Sequence, residues 1–286
     1  MRQFCRKDFA VTAAPLTRLT IGRDTTVCMS LAGRPGVFGS RFHNHLYAAL
    51  GLDYIYKAFT TRDLPAAIGG LRAFGIRGCA VSMPFKEACI PLLDEMAPSA
   101  AAISSVNTIV NDDGRLSGHN TDYAAIAPLL VKHGVPASTA FVARGSGGMA
   151  KAVVSALRDA GFGQGTVVSR NEAAGRALAS SCGFGWQAEA TAAPMLVNIT
   201  PIGMEGAPEA TELAFPEALI AEASVVFDVV NLPPETPLIR RARALGKTVI
   251  TGAEVATLQA VEQFVLYTGI TPSEAQIAAA ADFARG

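Results

Sequence analysis

A glycine-rich turn follows an apolar, strand-like segment in the stretch FVARGSGGMAKAVVSAL. Gly145, Gly147 and Gly148 stand where the strand would pass into a helix. Glycines there permit a tight turn and let a pyrophosphate approach the amides at the helix N-terminus. With Ser146 and Met149 the turn forms a GxGGM variant of the dinucleotide-binding fingerprint. A plain strand-to-helix turn without a ligand is the alternative that the pattern leaves open.

The next strand-like segment ends in VVSRNEAAG, where a site that prefers NAD usually presents an acid to the ribose hydroxyls. No acid stands at Ser169, Arg170 or Asn171. The guanidinium of Arg170 suits forked hydrogen bonding to a 2′-phosphate, and its neighbours add hydroxyl and amide donors. The segment therefore favours NADP over NAD as cofactor. The alternative is an arginine that merely faces solvent at a strand end.

A lysine follows another strand-like segment, in CAVSMPFKEA. Taken alone, Lys86 is best interpreted as a solvated lysine near a helix N-terminus. Asp122 in GHNTD opens a further predicted helix, where an acidic side chain could serve as the N-cap. The sequence by itself does not bring these two residues together.

The elements that must position these residues alternate between strand-like and helix-like stretches, which predicts β-α units on mostly parallel sheets. The first series has strands at 26–31, 54–59 and 78–82, helices at 41–50, 64–74 and 85–96, and a hairpin in VNTIVNDDGRLSGHN that closes the layer. The second begins with a helix near Asp122 and has strands at 140–143, 166–169, 195–198, 225–230 and 248–251. Two helices, 253–268 and 272–285, end the chain.

This order predicts a two-domain α/β fold in which a mostly parallel N-terminal substrate domain precedes a Rossmann-type NADP-binding domain. We expect the substrate domain to span 1–121, the cofactor domain 122–252, and the last helices, 253–286, to pack back on the first domain. The first two dozen residues are expected to form a loosely ordered arm without the apolar core of a secretory signal.

Composition limits the class of function. Among 286 residues, 24 basic and 24 acidic side chains cancel, so a nucleic-acid or membrane surface is not expected and a small molecule is the expected partner. Five scattered cysteines without CxxC spacing predict reduced thiols in the cytoplasm, with neither a disulfide frame nor a metal site. The oligomeric state is left open between monomer and homodimer.

Seven sequence blocks stand in the order and at the spacing of the shikimate dehydrogenase family, which the chain resembles over about residues 30 to 285. The blocks are SMPFK, SVNTIV, GHNTD, GSGGMAKA, NITPIGM, FDVVNLPPETPLI and GAEVATLQAVEQF. More narrowly, the chain resembles the shikimate dehydrogenase-like subgroup, because it keeps the catalytic blocks and alters those that bind the substrate carboxylate. The resemblance implies NADP-dependent interconversion of a cyclic hydroxy acid and its keto acid, with shikimate as a weak substrate. Quinate-type acids, or a non-catalytic NADP-binding module, are the alternatives, and the pathway is left open between aromatic amino acid biosynthesis and catabolism.

The resemblance also implies roles for individual residues. Lys86 and Asp122 would be the catalytic pair, because oxidation of an alcohol requires a group that removes the hydroxyl proton. Either of the two could exchange it. Hydrogen bonds to substrate hydroxyls would come from Ser82, Asn107 and Gln259. Thr200 and Asn198 would lie beside the cofactor, and backbone contacts to its nicotinamide half would come from Val229 and Gly252.

The sequence differs from the family in the residues that bind the substrate carboxylate. A Ser-x-Ser-Pro segment usually precedes the His-Asn pair, but here the line reads GRPGVFGSRFHN. Aligned without a gap, the two serines become Val37 and Gly39, whereas a later gap would let Ser40 replace the second one. Elsewhere an expected asparagine is Ala80 and an expected tyrosine is Asn231. Because a carboxylate buried without partners is costly, either Arg34 or Ser40 binds it or the natural substrate differs.

Overall fold

Two six-stranded sheets, each covered by helices, form the chain in a computed structural model that describes residues 21–286. The expected N-terminal arm lies, for its first 20 residues, outside the described residues. The first sheet contains β1 (Thr26–Leu31), β2 (Tyr54–Phe59), β3 (Gly78–Val81), β4 (Glu95–Met96), β5 (Thr108–Asp112) and β6 (Arg115–His119). Its helices are α1 (Phe38–Ala49), α2 (Leu64–Ala73), α3 (Phe85–Ala88) and α4 (Pro98–Ala101).

The second sheet is entirely parallel, with strand order β12-β11-β10-β7-β8-β9. Its strands are β7 (Phe141–Arg144), β8 (Gly165–Val168), β9 (Gly185–Gln187), β10 (Met195–Asn198), β11 (Val225–Asp228) and β12 (Thr248–Thr251). The helices are α5 (Thr121–Lys132), α6 (Gly148–Asp159), α7 (Glu172–Cys182), α8 (Glu217–Glu222) and α9 (Pro237–Ala244), followed by α10 (Gly252–Thr268) and α11 (Glu274–Arg285). The strand order reverses between β7 and β10, which is the point where such sheets bind dinucleotides.

The burial of the central strands agrees with the parallel pairing of the second sheet. Every residue of β10 and of β11 is buried, as expected for strands covered on both faces. One face packs on α5, α6 and α7 through side chains such as Ile126, Val153 and Leu178. The other packs on α8 and α9 through Ile220, Leu238 and Ile239. The predicted fold class is therefore confirmed.

The first sheet, with order β2-β1-β3-β5-β6-β4, is mixed. The strands β1, β2 and β3 run parallel, and β5 pairs antiparallel with β3 on one side and with β6, its partner in the predicted hairpin, on the other. Asp113 and Gly114 have φ values of 51° and 90°, the left-handed conformation that a two-residue hairpin turn requires. The hairpin does not close the sheet, however, because β4 pairs with β6 beyond it.

The predicted helix at 85–96 is wrong in its second half. Only α3 is helical, and a short 3-10 turn at Ile90–Leu92 and the strand β4 follow it. Pro91 explains the break, because it lacks the N–H that would continue the helix and its ring would collide with the preceding turn. The strand β9, which has only three residues and begins with a glycine, is not predicted by the sequence pattern. Both errors concern short segments with weak periodicity.

The C-terminal helices pack on the first sheet. Phe264 and Tyr267 of α10 and Ala281 of α11 share one apolar cluster with Phe42 and Leu46 of α1. Gly78 allows this close packing, since a Cβ there would overlap the ring of Tyr267. No helix in the 21–286 portion is long and apolar enough to cross a membrane.

Candidate active site

Lys86 and Asp122, which lie far apart in the sequence, meet in the structure. Lys86 is in α3, whose position is fixed partly by a 2.9 Å hydrogen bond from the Val106 backbone N–H to the Lys86 carbonyl. Its Nζ donates to Oδ2 of Asp122 at the start of α5. The Asp122 side chain is 3% exposed and that of Lys86 22% exposed. A carboxylate buried to this degree requires a positive partner, and Lys86 supplies it.

The Asp122 carboxylate is free for this pairing because another residue caps α5. Asn120 is the N-cap, and its Oδ1 accepts a 3.0 Å hydrogen bond from the Tyr123 N–H. Its Nδ2 donates to the Ser105 carbonyl at 2.9 Å, which ties the helix start to the preceding loop. The alternative in which Asp122 caps the helix is therefore wrong.

Asn107 holds the same helix start from the other side. Its Oδ1 accepts hydrogen bonds of 2.8 Å from both the Thr121 N–H and the Thr108 hydroxyl. Its Nδ2 donates to Thr121 Oγ1 at 3.0 Å. In this arrangement the amide orients the residue next to Asp122.

A cavity of about 230 Å³ opens beside Lys86 at the carboxyl ends of β1 and β3 and at the amino end of β5, which runs antiparallel to β3. Four residues predicted as catalytic or substrate-binding line it: Lys86, Ser82, Asn107 and Gln259. Ser40 does not line it, and Val37 is a 64% exposed side chain that also lies outside the lining. Gly39, Ala80 and Arg34 do line it. On the side of the cavity where the family's carboxylate-binding residues are expected, Arg34 therefore offers a cationic group, whereas Gly39 and Ala80 offer no polar side chain.

Three further polar residues line the cavity and were not predicted from the sequence: Ser30, Tyr56 and Gln263. Gln263 lies one helical turn beyond Gln259, and this spacing on one helix face was a signal that could have identified it. Its Nε2 donates to Thr108 Oγ1 at 3.1 Å. Burial raises the pKa of Tyr56 far above its usual range, so the phenol remains a hydrogen-bond donor. No comparable sequence signal marks Ser30 or Tyr56.

The His-Asn pair supports this wall from behind. Asn44 in α1 donates to the Tyr56 carbonyl and accepts from the Tyr56 N–H, each at 2.8 Å. The fully buried His43 ring stacks on the Tyr56 ring at a centroid distance of 4.4 Å. Burial lowers the pKa of His43 to about 3, so the ring is neutral packing. Both residues position Tyr56 and lie outside the cavity lining.

The glycine-rich turn lies at the switch point of the second sheet, and its geometry fits a dinucleotide phosphate. Gly145 has a φ of +139°, and a Cβ there would come within 2.7 Å of the Ile199 carbonyl oxygen. At Gly147 and Gly148, by contrast, a Cβ would meet no atom within 4 Å, so packing does not require these glycines. The N-terminus of α6 also lacks a side-chain cap. Open space beside unpaired backbone N–H groups is what a pyrophosphate needs.

The other residues of the turn differ in position. Ser146 is half-buried beside a separate cavity between the turn and α7, and Met149 packs against the apolar core of the second sheet.

Among the residues after β8, Ser169 Oγ donates to the Asn171 carbonyl at 2.8 Å and accepts from Trp186. Asn171 caps α7 through the Ala174 N–H. Arg170 is left as the exposed side chain between them.

A buried polar network joins the ends of β10 and β11. Asp228 accepts hydrogen bonds from Asn198 Nδ2 at 3.0 Å, from the Val230 N–H at 3.1 Å and from the Thr236 hydroxyl at 2.7 Å. Thr200 donates to Asn198 Oδ1 at 2.6 Å, so its hydroxyl belongs to the network.

Val229 and Gly252, which are predicted to contact the nicotinamide half through their backbone, also lie at this edge. The Val229 N–H donates to the Asn198 carbonyl at 3.1 Å. A Cβ at Gly252 would overlap the Val230 carbonyl, so only glycine lets α10 begin this close to the end of β11. Within residues 21–286 no cluster of three or more histidine, cysteine or acidic side chains is placed to hold a metal ion.

Asp228 should make stability depend on pH. Burial raises its pKa from 3.8 to about 6, although three hydrogen bonds oppose the rise. Since the folded-state pKa exceeds the unfolded one, the stabilising contribution is present below about pH 4 and is lost as pH rises through about 6. The difference in unfolding free energy between Asp228→Asn and the original chain should therefore rise by about 1 to 2 kcal/mol, in favour of the variant, as the pH is raised from 4 to 8. Urea denaturation at both pH values measures it.

The exposed Glu222→Gln variant is the control, because it removes one carboxylate without touching the network. The test compares the stability difference at the two pH values. Any destabilisation by the new amide that does not depend on pH is present at both and cancels. Parallel stability curves for Asp228→Asn and the original chain would show that Asp228 does not titrate in this range.

Comparison with known proteins agrees with this geometry. A model of the shikimate dehydrogenase substrate-binding domain matches residues 37–109. A shikimate dehydrogenase-like protein of Haemophilus influenzae is 56% identical over 267 residues, which cover 93% of this chain and 98% of that protein. The NADP⁺-dependent shikimate dehydrogenase of Moorella thermoacetica is 37% identical over 244 residues, or 79% and 82% of the two chains. The solved Thermus thermophilus shikimate 5-dehydrogenase, in complex with NADP(H) and shikimate, has a TM-score of 0.83 at 31% identity, covering 91% of this chain and 99% of its own.

Proposed function

Because this chain belongs to the shikimate dehydrogenase family, we propose that it is an NADP-dependent oxidoreductase that interconverts a cyclic hydroxy acid and its keto acid. The observation that carries the proposal is the Lys86–Asp122 pair at a cavity that also presents six neutral polar side chains. A purely NADP-binding module would have no use for an acid/base pair at such a cavity. Shikimate and 3-dehydroshikimate are the leading substrate pair, with slow turnover.

Lys86 is proposed to exchange the proton. It lines the cavity, whereas Asp122 does not and is almost fully buried behind it. As the alcohol is oxidised, its O–H proton passes to Lys86 Nζ, which accepts it as an unprotonated amine, and the ammonium ion that results is the form paired with the Asp122 carboxylate. In the reverse direction this ammonium ion gives the proton to the developing alkoxide and returns to the amine. Asp122 holds the amine in position. NADP, when bound, supplies the acceptor for the hydride that leaves the carbon.

The cofactor residues follow from the same geometry. Backbone N–H groups of Gly147, Gly148 and their neighbours would hold the pyrophosphate, and Arg170 would bind the 2′-phosphate. Val229 and Gly252 would border the nicotinamide half. We further propose that residues 1–121, together with 253–286, form the substrate domain and that 122–252 form the cofactor domain. Four buried free thiols, those of Cys28, Cys79, Cys89 and Cys182, support a reducing compartment, and we propose the cytoplasm.

The replacement of residues expected to bind the substrate carboxylate supports the proposal of weak activity on shikimate. Gly39 and Ala80 line the cavity at places where the family's serine and asparagine are expected, and neither can donate a side-chain hydrogen bond. Arg34 is the exposed cation on that wall. We therefore propose that Arg34 binds the substrate carboxylate. Its solvent exposure means that the ion pair contributes less than a buried one would.

Arg34→Ala should raise the KM for shikimate by about 5- to 20-fold, since a hydrogen bond to a charged group contributes about 1.5 kcal/mol or somewhat more. The kcat should fall less, because the carboxylate is remote from the reacting hydroxyl. Initial rates at saturating NADP measure both constants. Ser40→Ala is the matched control, and it should leave both unchanged because Ser40 lies outside the cavity lining. A larger effect of Ser40→Ala than of Arg34→Ala would reverse the assignment.

Absorbance at the NADPH band, measured with shikimate, quinate and related cyclic hydroxy acids, tests the proposed function. Turnover of at least one of them with NADP is expected. Faster turnover of quinate than of shikimate would favour the quinate-type alternative. Binding of NADPH without turnover of any member would contradict the enzymatic proposal.

A further inference from the structure

A loop after β10, here called the Glu209 loop (203–214), lies against the carboxyl ends of β7 and β8. Arg144, the last residue of β7, donates through Nη1 to the Ala214 carbonyl. Arg170, just after β8, forms an ion pair with Glu209, with 3.3 Å between Nη1 and Oε1. Two arginines from neighbouring strand ends therefore fasten this loop beside the place where the 2′-phosphate of NADP is expected.

The two side chains of the Arg170–Glu209 ion pair differ in solvent exposure. The Arg170 side chain is 82% exposed, whereas that of Glu209 is 25% exposed. The backbone of Glu209 is held as well, because its carbonyl accepts a 2.9 Å hydrogen bond from the Gly203 N–H. The carboxylate is thus the fixed partner, and the guanidinium reaches out to it. Among the acidic side chains in the part of the chain that the structure describes, Glu209 is the one paired with Arg170.

A site that prefers NAD usually has a carboxylate beside the ribose hydroxyls, and none stands at 169–171. Glu209 brings a carboxylate to Arg170 from a different segment. A dianionic phosphate beside Arg170 would be repelled by that carboxylate, and the guanidinium cannot keep full contact with both. The uncharged 2′-hydroxyl of NAD faces no such repulsion and can donate to a carboxylate.

We propose that Glu209 is a specificity-determining residue that competes with the cofactor 2′-phosphate for Arg170 and so reduces the preference for NADP over NAD. Binding of NADP exchanges the Arg170–Glu209 ion pair for an Arg170–phosphate pair. Binding of NAD leaves the ion pair in place. This inference rests on the proposed role of Arg170 in cofactor binding, and it does not depend on which hydroxy acid is the substrate.

The test is the Kd of NADPH and of NADH, measured by nicotinamide fluorescence without substrate. Glu209→Gln keeps the size of the side chain but removes its charge. It should tighten NADPH binding by about two- to fivefold, a size set by the exposure of the ion pair, and leave NADH binding unchanged or weaker. In an Arg170→Ala background the same change should give a smaller gain, because the competition for the guanidinium is gone. Glu212→Gln, on the same loop and exposed, is the control for net charge.

Several results would overturn the inference. Weaker NADPH binding by Glu209→Gln would mean that Glu209 positions Arg170 for the phosphate. Equal changes for NADPH and NADH, or the same gain in Glu212→Gln, would indicate a general charge effect. An undiminished gain in the Arg170→Ala background would show that Arg170 is not the shared partner. Intact discrimination between the cofactors without turnover of any hydroxy acid would instead contradict only the proposed enzymatic function.

Discussion

Replacing Lys86 with alanine is expected to lower kcat by about 10² to 10⁴, the usual contribution of a positioned acid/base group. The NADPH Kd should change by less than about twofold, because Lys86 lies on the substrate cavity and not at the glycine-rich turn. The effect is expected to be this large because no other cationic side chain of the cavity is paired with a buried carboxylate. Steady-state kinetics with the best substrate of the panel, together with NADPH titration, measure both quantities.

Loss of Lys86 also leaves the Asp122 carboxylate buried without its positive partner, so the stability of the variant must be measured alongside its activity. Asp122→Asn removes the charge but keeps the shape, and it should lower kcat less than Lys86→Ala if Asp122 only positions the amine. Lys57→Ala, on an exposed part of β2, is the control lysine. A folded Lys86→Ala enzyme with near-normal kcat would exclude Lys86 from the chemistry.

Arg170→Ala should weaken NADP binding by about 1 to 3 kcal/mol, or about 5- to 150-fold, and leave NAD binding nearly unchanged. The free side chain is largely solvated, so the loss arises from the charge-assisted hydrogen bonds that form in the complex. Titration of the protein with NADPH and NADH gives the two affinities.

Arg176→Ala is the matched control for this prediction. Arg176 lies on α7, pairs with Glu172 and packs over the Trp186 ring, so it carries the same charge nearby without facing the strand ends. It should affect the two cofactors equally. An equal loss of NADP and NAD affinity in Arg170→Ala would remove Arg170 from the 2′-phosphate.

Local pattern was enough to determine the elements that carry the site. The strands β1, β2, β10 and β12 begin and end where the hydrophobic pattern predicts, and the Asp-Asp-Gly hairpin follows from its turn residues. These features depend on neighbouring residues only, so they can be read along the chain. The same holds for the glycine-rich turn, because a strand-to-helix junction with this spacing is a local structure.

Tertiary structure alone decided what these elements bring together. Lys86 and Asp122 meet because α3 and α5 are positioned by hydrogen bonds to residues 105–107, and Asp122 is available because Asn120 caps the helix. The cavity lining, which includes Tyr56 and Gln263 and excludes Ser40, depends on how α1 and α10 pack on the first sheet. Glu209 lies in a loop without periodicity, and only folding brings its carboxylate to Arg170. Each of these contacts joins distant segments, and local sequence patterns carry no information about such distances.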